Sequence, residues 1–129
     1  MTMVIGKEDR VLIAGAGPIG QICGYWLARK GIPVLLYDKS IDIPCDLRAS
    51  TWHPATLDLL QEYDVDRYIL KTGSITPSWQ YRFQNTGERA VFELNVLDSE
   101  TSHPYRVQCE QFHVVRHLTE RINSLDNAE

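Results

Sequence analysis

Three glycines fall within six residues, Gly15-Ala16-Gly17-Pro18-Ile19-Gly20, between an apolar tetrad, Val11-Leu12-Ile13-Ala14, and a segment of helical periodicity. Glycine costs backbone entropy on folding, so such a cluster marks backbone that must do what a Cβ would forbid. Val11–Ala14 is continuously apolar, as a strand covered on both faces is. After the glycines, Ile19, Ile22, Cys23, Trp26 and Leu27 recur at i, i+3, i+4, i+7 and i+8, which predicts a helix with that stripe inward. Arg29-Lys30 and then Gly31 give the helix a cationic last turn and a glycine stop. A second apolar run, Pro33 to Tyr37, ends at Asp38. Residues 9–39 therefore read as strand, tight turn, helix, strand.

In that context each glycine has its own task. Gly15 makes the turn, Gly17 lets backbone approach a pyrophosphate, and Gly20 lets the helix pack closely. The helix start offers unbonded N–H groups and the positive end of its dipole, with Ile19, Gly20 and Gln21 as expected donors and Pro18 unable to donate. Asp38 stands at the end of the second strand, where a carboxylate accepts hydrogen bonds from ribose hydroxyls and repels a 2′-phosphate. A glycine-rich turn that merely packs a core is disfavoured, because strand, helical stripe and acid agree. The segment reads as a cradle for an ADP moiety, which leaves both NAD and FAD open.

The remainder departs from simple alternation. Residues 40–72 predict a loop, "KSIDIPCDLRAST", then two short helices joined near Tyr63–Asp66, the first opened by Pro54. Residues 76–95 predict a β-hairpin with strands near Trp79–Gln84 and Arg89–Leu94 around Gly87. Residues 110–124 predict a helix with Phe112, Val115, Leu118 and Ile122 on its apolar side. A hairpin after the second strand argues against an NAD-dependent dehydrogenase domain. The chain has 129 residues and a formal net charge of −4, which gives neither nucleic acid nor a membrane surface a basic face. Cys23, Cys45 and Cys109 are odd in number and lack C-x-x-C spacing, so they are expected as reduced, partly buried thiols. No run approaches membrane-spanning length, and a cytoplasmic protein is the expectation.

With those residues in place, the sequence resembles the N-terminal part of FAD-dependent aromatic hydroxylases of the para-hydroxybenzoate hydroxylase and phenol hydroxylase type. The resemblance rests on "GAGPIG" with Asp38 (where the family more often has Glu), on "DLRAST" with "PATLDLL", and on "PYRVQCEQFHVVRHL". It implies an α/β fold, the N-terminal part of a Rossmann-like FAD-binding domain with a β-hairpin and added helices, its sheet incomplete. It implies FAD as cofactor, NAD(P)H as reductant and a small aromatic substrate. By the resemblance, Gly15, Gly17, Ile19 and Gly20 hold the pyrophosphate and Asp38 the adenosine ribose. Arg48 and Gln111 would contact the ribityl–pyrophosphate region, and a guanidinium suits a phosphate on its own chemistry. The family's chains are far longer and carry a further Gly-Asp segment, so a truncated chain is expected, its open sheet edge inviting association.

Other constellations carry less. His113 and His117 share a helical face, but Val114 stands where H-E-x-x-H needs glutamate, so no metal site is expected. His53 and His103 each precede a proline and read as loop residues. Trp26, Trp52 and Trp79 read as packing residues. No residue is named as catalytic, since the flavin performs the chemistry in such enzymes. A non-catalytic dinucleotide-binding remnant is the rival expectation.

Overall fold

The computed structural model describes residues 9–128. Its elements in chain order are β1 (Val11–Ala14), α1 (Pro18–Arg29), β2 (Val34–Tyr37), β3 (Thr51–Trp52), α2 (Pro54–Leu60), α3 (Val65–Thr72), β4 (Ser74–Thr76), β5 (Ser78–Arg82), β6 (Arg89–Glu93), β7 (Arg106–Gln108) and α4 (Gln111–Asn123). They form two compact units, one from the residues up to Asp46 with those from Gln111 onward, the other from Leu47–Glu110.

In the first unit β1 and β2 pair in parallel, Val11 opposite Val34 through Ala14 opposite Tyr37. The strand–helix–strand plan over 9–39 is present as the sequence predicts. The inward face of α1 is not the expected stripe, however: Gln21, Gly24, Tyr25 and Ala28 are buried, whereas Ile19 is 79% exposed and Cys23 is exposed. A Cβ on Gly24 would lie 2.7 Å from Leu36 Cδ1, so this face of α1 packs closely on the Leu36 side chain of β2. Tyr25 is fully enclosed, with the Arg121 guanidinium 4.8 Å above its ring. Helix α4 packs along α1 and buries Val114, Val115, Leu118 and Ile122. Just past α4, the Asn127 carbonyl accepts the Val34 amide at 3.0 Å, and Ala128 forms a parallel bridge with Val34.

The second unit is built on a three-stranded antiparallel sheet, β3-β7-β4, which the sequence reading lacks. Strands of two or three residues show no alternation to read. Leu57, Leu60, Val65, Ile69 and Val107 are wholly buried here. Helices α2 and α3 meet where expected, through a 3₁₀ turn at Gln61–Tyr63 and a left-handed Asp64 (φ 60°). The hairpin also forms, with Trp79 opposite Phe92 and Arg82 opposite Arg89. Its first strand ends at Arg82, two residues before the expected Gln84, because the chain turns early. Phe83 donates its amide to Glu88 and Gly87 donates to Phe83, both at 2.9 Å. Gly87 there has φ +71°, which favours glycine. The Trp79 and Phe92 rings stack with centroids 4.3 Å apart, and Trp52, 8% exposed, donates Nε1–H to the Cys109 carbonyl at 2.8 Å.

His103 lies in the loop before β7, as its place ahead of a proline predicts. It is nevertheless only 3% exposed, with Nδ1 2.6 Å from Asp58 Oδ1 and Nε2 3.2 Å from Asp66 Oδ2. Asp58 on α2 also accepts the Thr101 hydroxyl at 2.6 Å, so one carboxylate ties the segment around residues 101–103 to the helix. These bonds, His103 first and Thr101 second, hold the Asp58 carboxyl below the ordinary carboxylate range. A lowered carboxyl contributes stability that is present above its unfolded pKa and lost as pH falls through the folded one. Denaturant unfolding followed by Trp fluorescence should therefore show stability declining with acid below about pH 4. Asp58→Asn should be less stable at neutral pH and flatter across that acid window.

Candidate functional site

The loop between β1 and α1 is fixed to the end of β2 by two consecutive amides. Gly15 donates its N–H to the Tyr37 carbonyl at 2.7 Å, and Ala16 donates to Asp38 Oδ2 at 2.8 Å. Gly15 reaches this geometry with φ +106°, a conformation that side chains rarely adopt. The Ser40 amide completes the group by donating to Asp38 Oδ1 at 2.9 Å. The amides of Ser40 and Ala16 hold the Asp38 carboxyl below its usual value, so it is ionised at neutral pH. It is exposed and each oxygen accepts one bond, so lone pairs stay available for further donors.

Gly17 and Gly20 differ in kind. A Cβ on Gly20 would lie 1.9 Å from the Gly15 carbonyl oxygen and 3.4 Å from Ile13 Cγ2. Gly20 is therefore required for α1 to sit against the turn. Gly17 is the N-cap with φ −71° and ψ −177°, offers no side-chain cap, and would present a Cβ to open space. Pro18 follows as the first helical residue. Among the described residues the amides of Ile19 and Gly20 take no backbone acceptor. The helix start thus presents unbonded N–H groups beneath an open glycine, which is the geometry that receives an anion.

One expected donor falls away. The Gln21 amide donates to the Gly17 carbonyl at 2.9 Å, the first regular bond of α1. Its side chain turns inward instead, 6% exposed, with Nε2 donating to Thr119 Oγ1 on α4 at 2.9 Å. Nothing in the helical pattern announced that bond, because Gln21 lies off the expected apolar stripe of Ile19, Ile22, Cys23, Trp26 and Leu27. The parts played by the amides of Ala16 and Ser40 had no sign either, because any residue can supply an amide.

The structure gathers Gly15, Gly17, Ile19, Gly20 and Asp38 into one place. Gln111, the other site residue of the same unit, opens α4 and is partly buried. Arg48 belongs to the second unit, exposed on the stretch leading to β3. Of the three cysteines Cys109 alone is buried, and burial pushes its thiol pKa up. Cys23 and Cys45 are exposed, against the expectation of partly buried thiols, and Arg116 donates to Cys45 Sγ at 2.8 Å.

The FAD binding domain family matches residues 8–128. Para-nitrophenol 4-monooxygenase of Pseudomonas sp. (strain WBC-3) is 27% identical over 121 residues, covering 94% of this chain and 30% of that protein. The 6-hydroxy-3-succinoylpyridine 3-monooxygenase HspB of Pseudomonas putida is 26% identical over 125 residues, covering 97% of this chain and 32% of that protein. Among solved structures, p-nitrophenol 4-monooxygenase PnpA from Pseudomonas putida DLL-E4 superposes with a TM-score of 0.84 at 28% identity, over 92% of this chain and 30% of that one. The chain thus spans about a third of the length of these relatives.

The contrast between two glycines tests the geometry. Gly20→Ala should lower the unfolding free energy by about 1–3 kcal/mol, since backbone must move to admit the methyl. Gly17→Ala should leave it unchanged or slightly raised, because φ −71° suits alanine and the space is open. Chemical denaturation of the two variants beside the parent measures both.

Proposed function

The chain belongs to the FAD binding domain family, and from that premise we propose that Gly15, Gly17, Ile19 and Gly20 hold the FAD pyrophosphate within the FAD-binding portion of an aromatic-ring monooxygenase. One observation carries the proposal: the amides of Ile19 and Gly20 lack backbone acceptors at the start of α1, below a glycine whose missing side chain leaves room. Two charge-assisted N–H bonds and the helix dipole suit a diphosphate there. Asp38, ionised and exposed, accepts from the adenosine ribose hydroxyls. Arg48 and Gln111 are assigned to the ribityl–pyrophosphate region, on the resemblance together with the anion chemistry of a guanidinium.

FAD, when bound, supplies the redox chemistry, with NAD(P)H as the proposed reductant and a small aromatic ring as the proposed oxygen acceptor. The relatives named for nitrophenol and hydroxypyridine substrates support that substrate class. The residues of this chain bind and orient; none is assigned an acid or base role. A cytoplasmic setting is proposed too, and among the described residues no helix is long and apolar enough to cross a membrane. Association through β1 also belongs to the proposal: among the described residues β1 pairs only with β2, and Leu12 is 63% exposed.

Titration of the purified chain with FAD, followed by flavin fluorescence and thermal shift, tests the assignment. Saturable uptake in preference to NAD is expected. Gly17→Val, whose side chain fills the open space, should weaken uptake at least about tenfold, the loss of roughly one charge-assisted bond. Asp38→Ala should weaken it by a similar factor. Equal uptake by Gly17→Val and the parent would place the pyrophosphate elsewhere, and stronger binding of NAD would remove the flavin assignment.

A further inference from the structure

We propose that the tip of the β5–β6 hairpin is a binding site for a phosphate-type oxyanion, held between the guanidinium groups of Arg82 and Arg89. These two residues are direct partners in the antiparallel register, so their side chains project from the same face of the hairpin. Like charges placed directly opposite one another are destabilising in an antiparallel pair. Neither arginine makes a hydrogen bond, ion pair or ring contact with any described residue. The next pairs on that face are Gln80 with Val91 and Ser78 with Glu93. Glu93 is four residues along the strand from Arg89, about 13 Å away, and so beyond direct pairing.

Both arginines line an open surface concavity of about 430 Å³, together with Phe83, Gln84, Gly87 and Glu88. The single carboxylate in that lining, Glu88, accepts the Thr86 hydroxyl at 3.0 Å, and the Glu88 amide donates back to Thr86 Oγ1 at 3.3 Å. The Thr86 hydroxyl bond occupies one Glu88 oxygen, and among the described residues no ion pair joins Glu88 to either arginine. The turn is set by the Phe83–Glu88 and Gly87–Phe83 backbone bonds and by the left-handed Gly87, so the tip holds its shape before any ligand arrives. Two planar forks of N–H donors on opposed strand positions can converge on the oxygens of a phosphoryl group, and a dianion between them removes their mutual repulsion. Phe83, 55% exposed at the edge of the cavity, offers a ring to an organic moiety carrying that phosphate. Free phosphate and a nucleotide phosphate share this chemistry. The site lies in the second unit, on elements that the proposed cofactor cradle does not use.

Residue-resolved ¹H–¹⁵N NMR of the full chain separates the two sites in one experiment. Inorganic phosphate and adenosine 5′-monophosphate are titrated in parallel, with sodium chloride matched for ionic strength. The amide signals of Phe83, Gly87 and Glu88 are expected to move saturably with phosphate, with half-saturation near about 1 mM. They should not move with chloride. Any shifts at Gly15–Gly20 report the cradle independently. Stronger binding of the nucleotide, with an added shift at Phe83, identifies an organic phosphate as the ligand; equal binding identifies the free ion. Arg82→Gln and Arg89→Gln should each weaken binding about tenfold, while unchanged Trp79 and Phe92 ring signals certify the folded hairpin. Hairpin signals that do not move, move equally with chloride, or move equally in both variants would overturn the site.

Discussion

Two adjacent amides hold this chain's functional geometry in place. Gly15 and Ala16 donate to the Tyr37 carbonyl and the Asp38 carboxylate, so the glycine loop is bound to the end of the neighbouring strand. This requires φ +106° at Gly15, which sends the Gly15 carbonyl under α1, to within 1.9 Å of where a Cβ of residue 20 would stand. Two of the three glycines are therefore demanded by the fold itself, one by its dihedral and one by contact. Gly17 is demanded by neither, having ordinary extended angles and open space around its missing side chain. A glycine without an intramolecular reason, next to amides without acceptors, is what a ligand-facing position looks like.

Much of this was legible because the signals were local. The turn, the helix stop at Gly31 and the acidic strand end follow from residue types at fixed offsets. The face of α1 was not legible in the same way. Hydrophobicity pointed to Ile19, Ile22 and Cys23, yet burial followed Gln21, Gly24, Tyr25 and Ala28, with Gly24 against the Leu36 side chain of β2 and Gln21 bonded to Thr119 on α4. Periodicity reports which side chains prefer an interior; packing against neighbouring elements selects which face has one. Ile19 shows the difference most sharply, since its amide is assigned to the proposed cradle while its side chain stays in solvent.

The second unit was read from its local parts and missed in its assembly. Both short helices and the hairpin carried their own turn chemistry. The β3-β7-β4 sheet did not, because Thr51–Trp52, Ser74–Thr76 and Arg106–Gln108 are too short to alternate and meet only across long separations. His103 belongs to the same class. Before a proline it looks like a loop residue, and nothing local announces Asp58 and Asp66, 45 and 37 residues upstream. Gly73 is the counterpart in backbone: a Cβ there would lie 2.6 Å from the Gln108 carbonyl, a constraint that exists only once β4 has met β7.

The cradle and the hairpin tip also differ in how they would hold phosphate, and the difference bears on selectivity. The cradle offers neutral amides and a helix dipole beside an ionised carboxylate, so an additional phosphate near Asp38 meets repulsion while a ribose hydroxyl meets an acceptor. Such a site discriminates by geometry, and its amide bonds respond weakly to salt. The hairpin tip offers two full positive charges with no acid paired to them among the described residues, so its attraction is Coulombic and is screened over a Debye length of about 8–10 Å. Identical phosphate chemistry would therefore be read in two ways on one chain: as a shaped, coenzyme-selective bond at the start of α1, and as a salt-sensitive charge contact at the turn of β5 and β6.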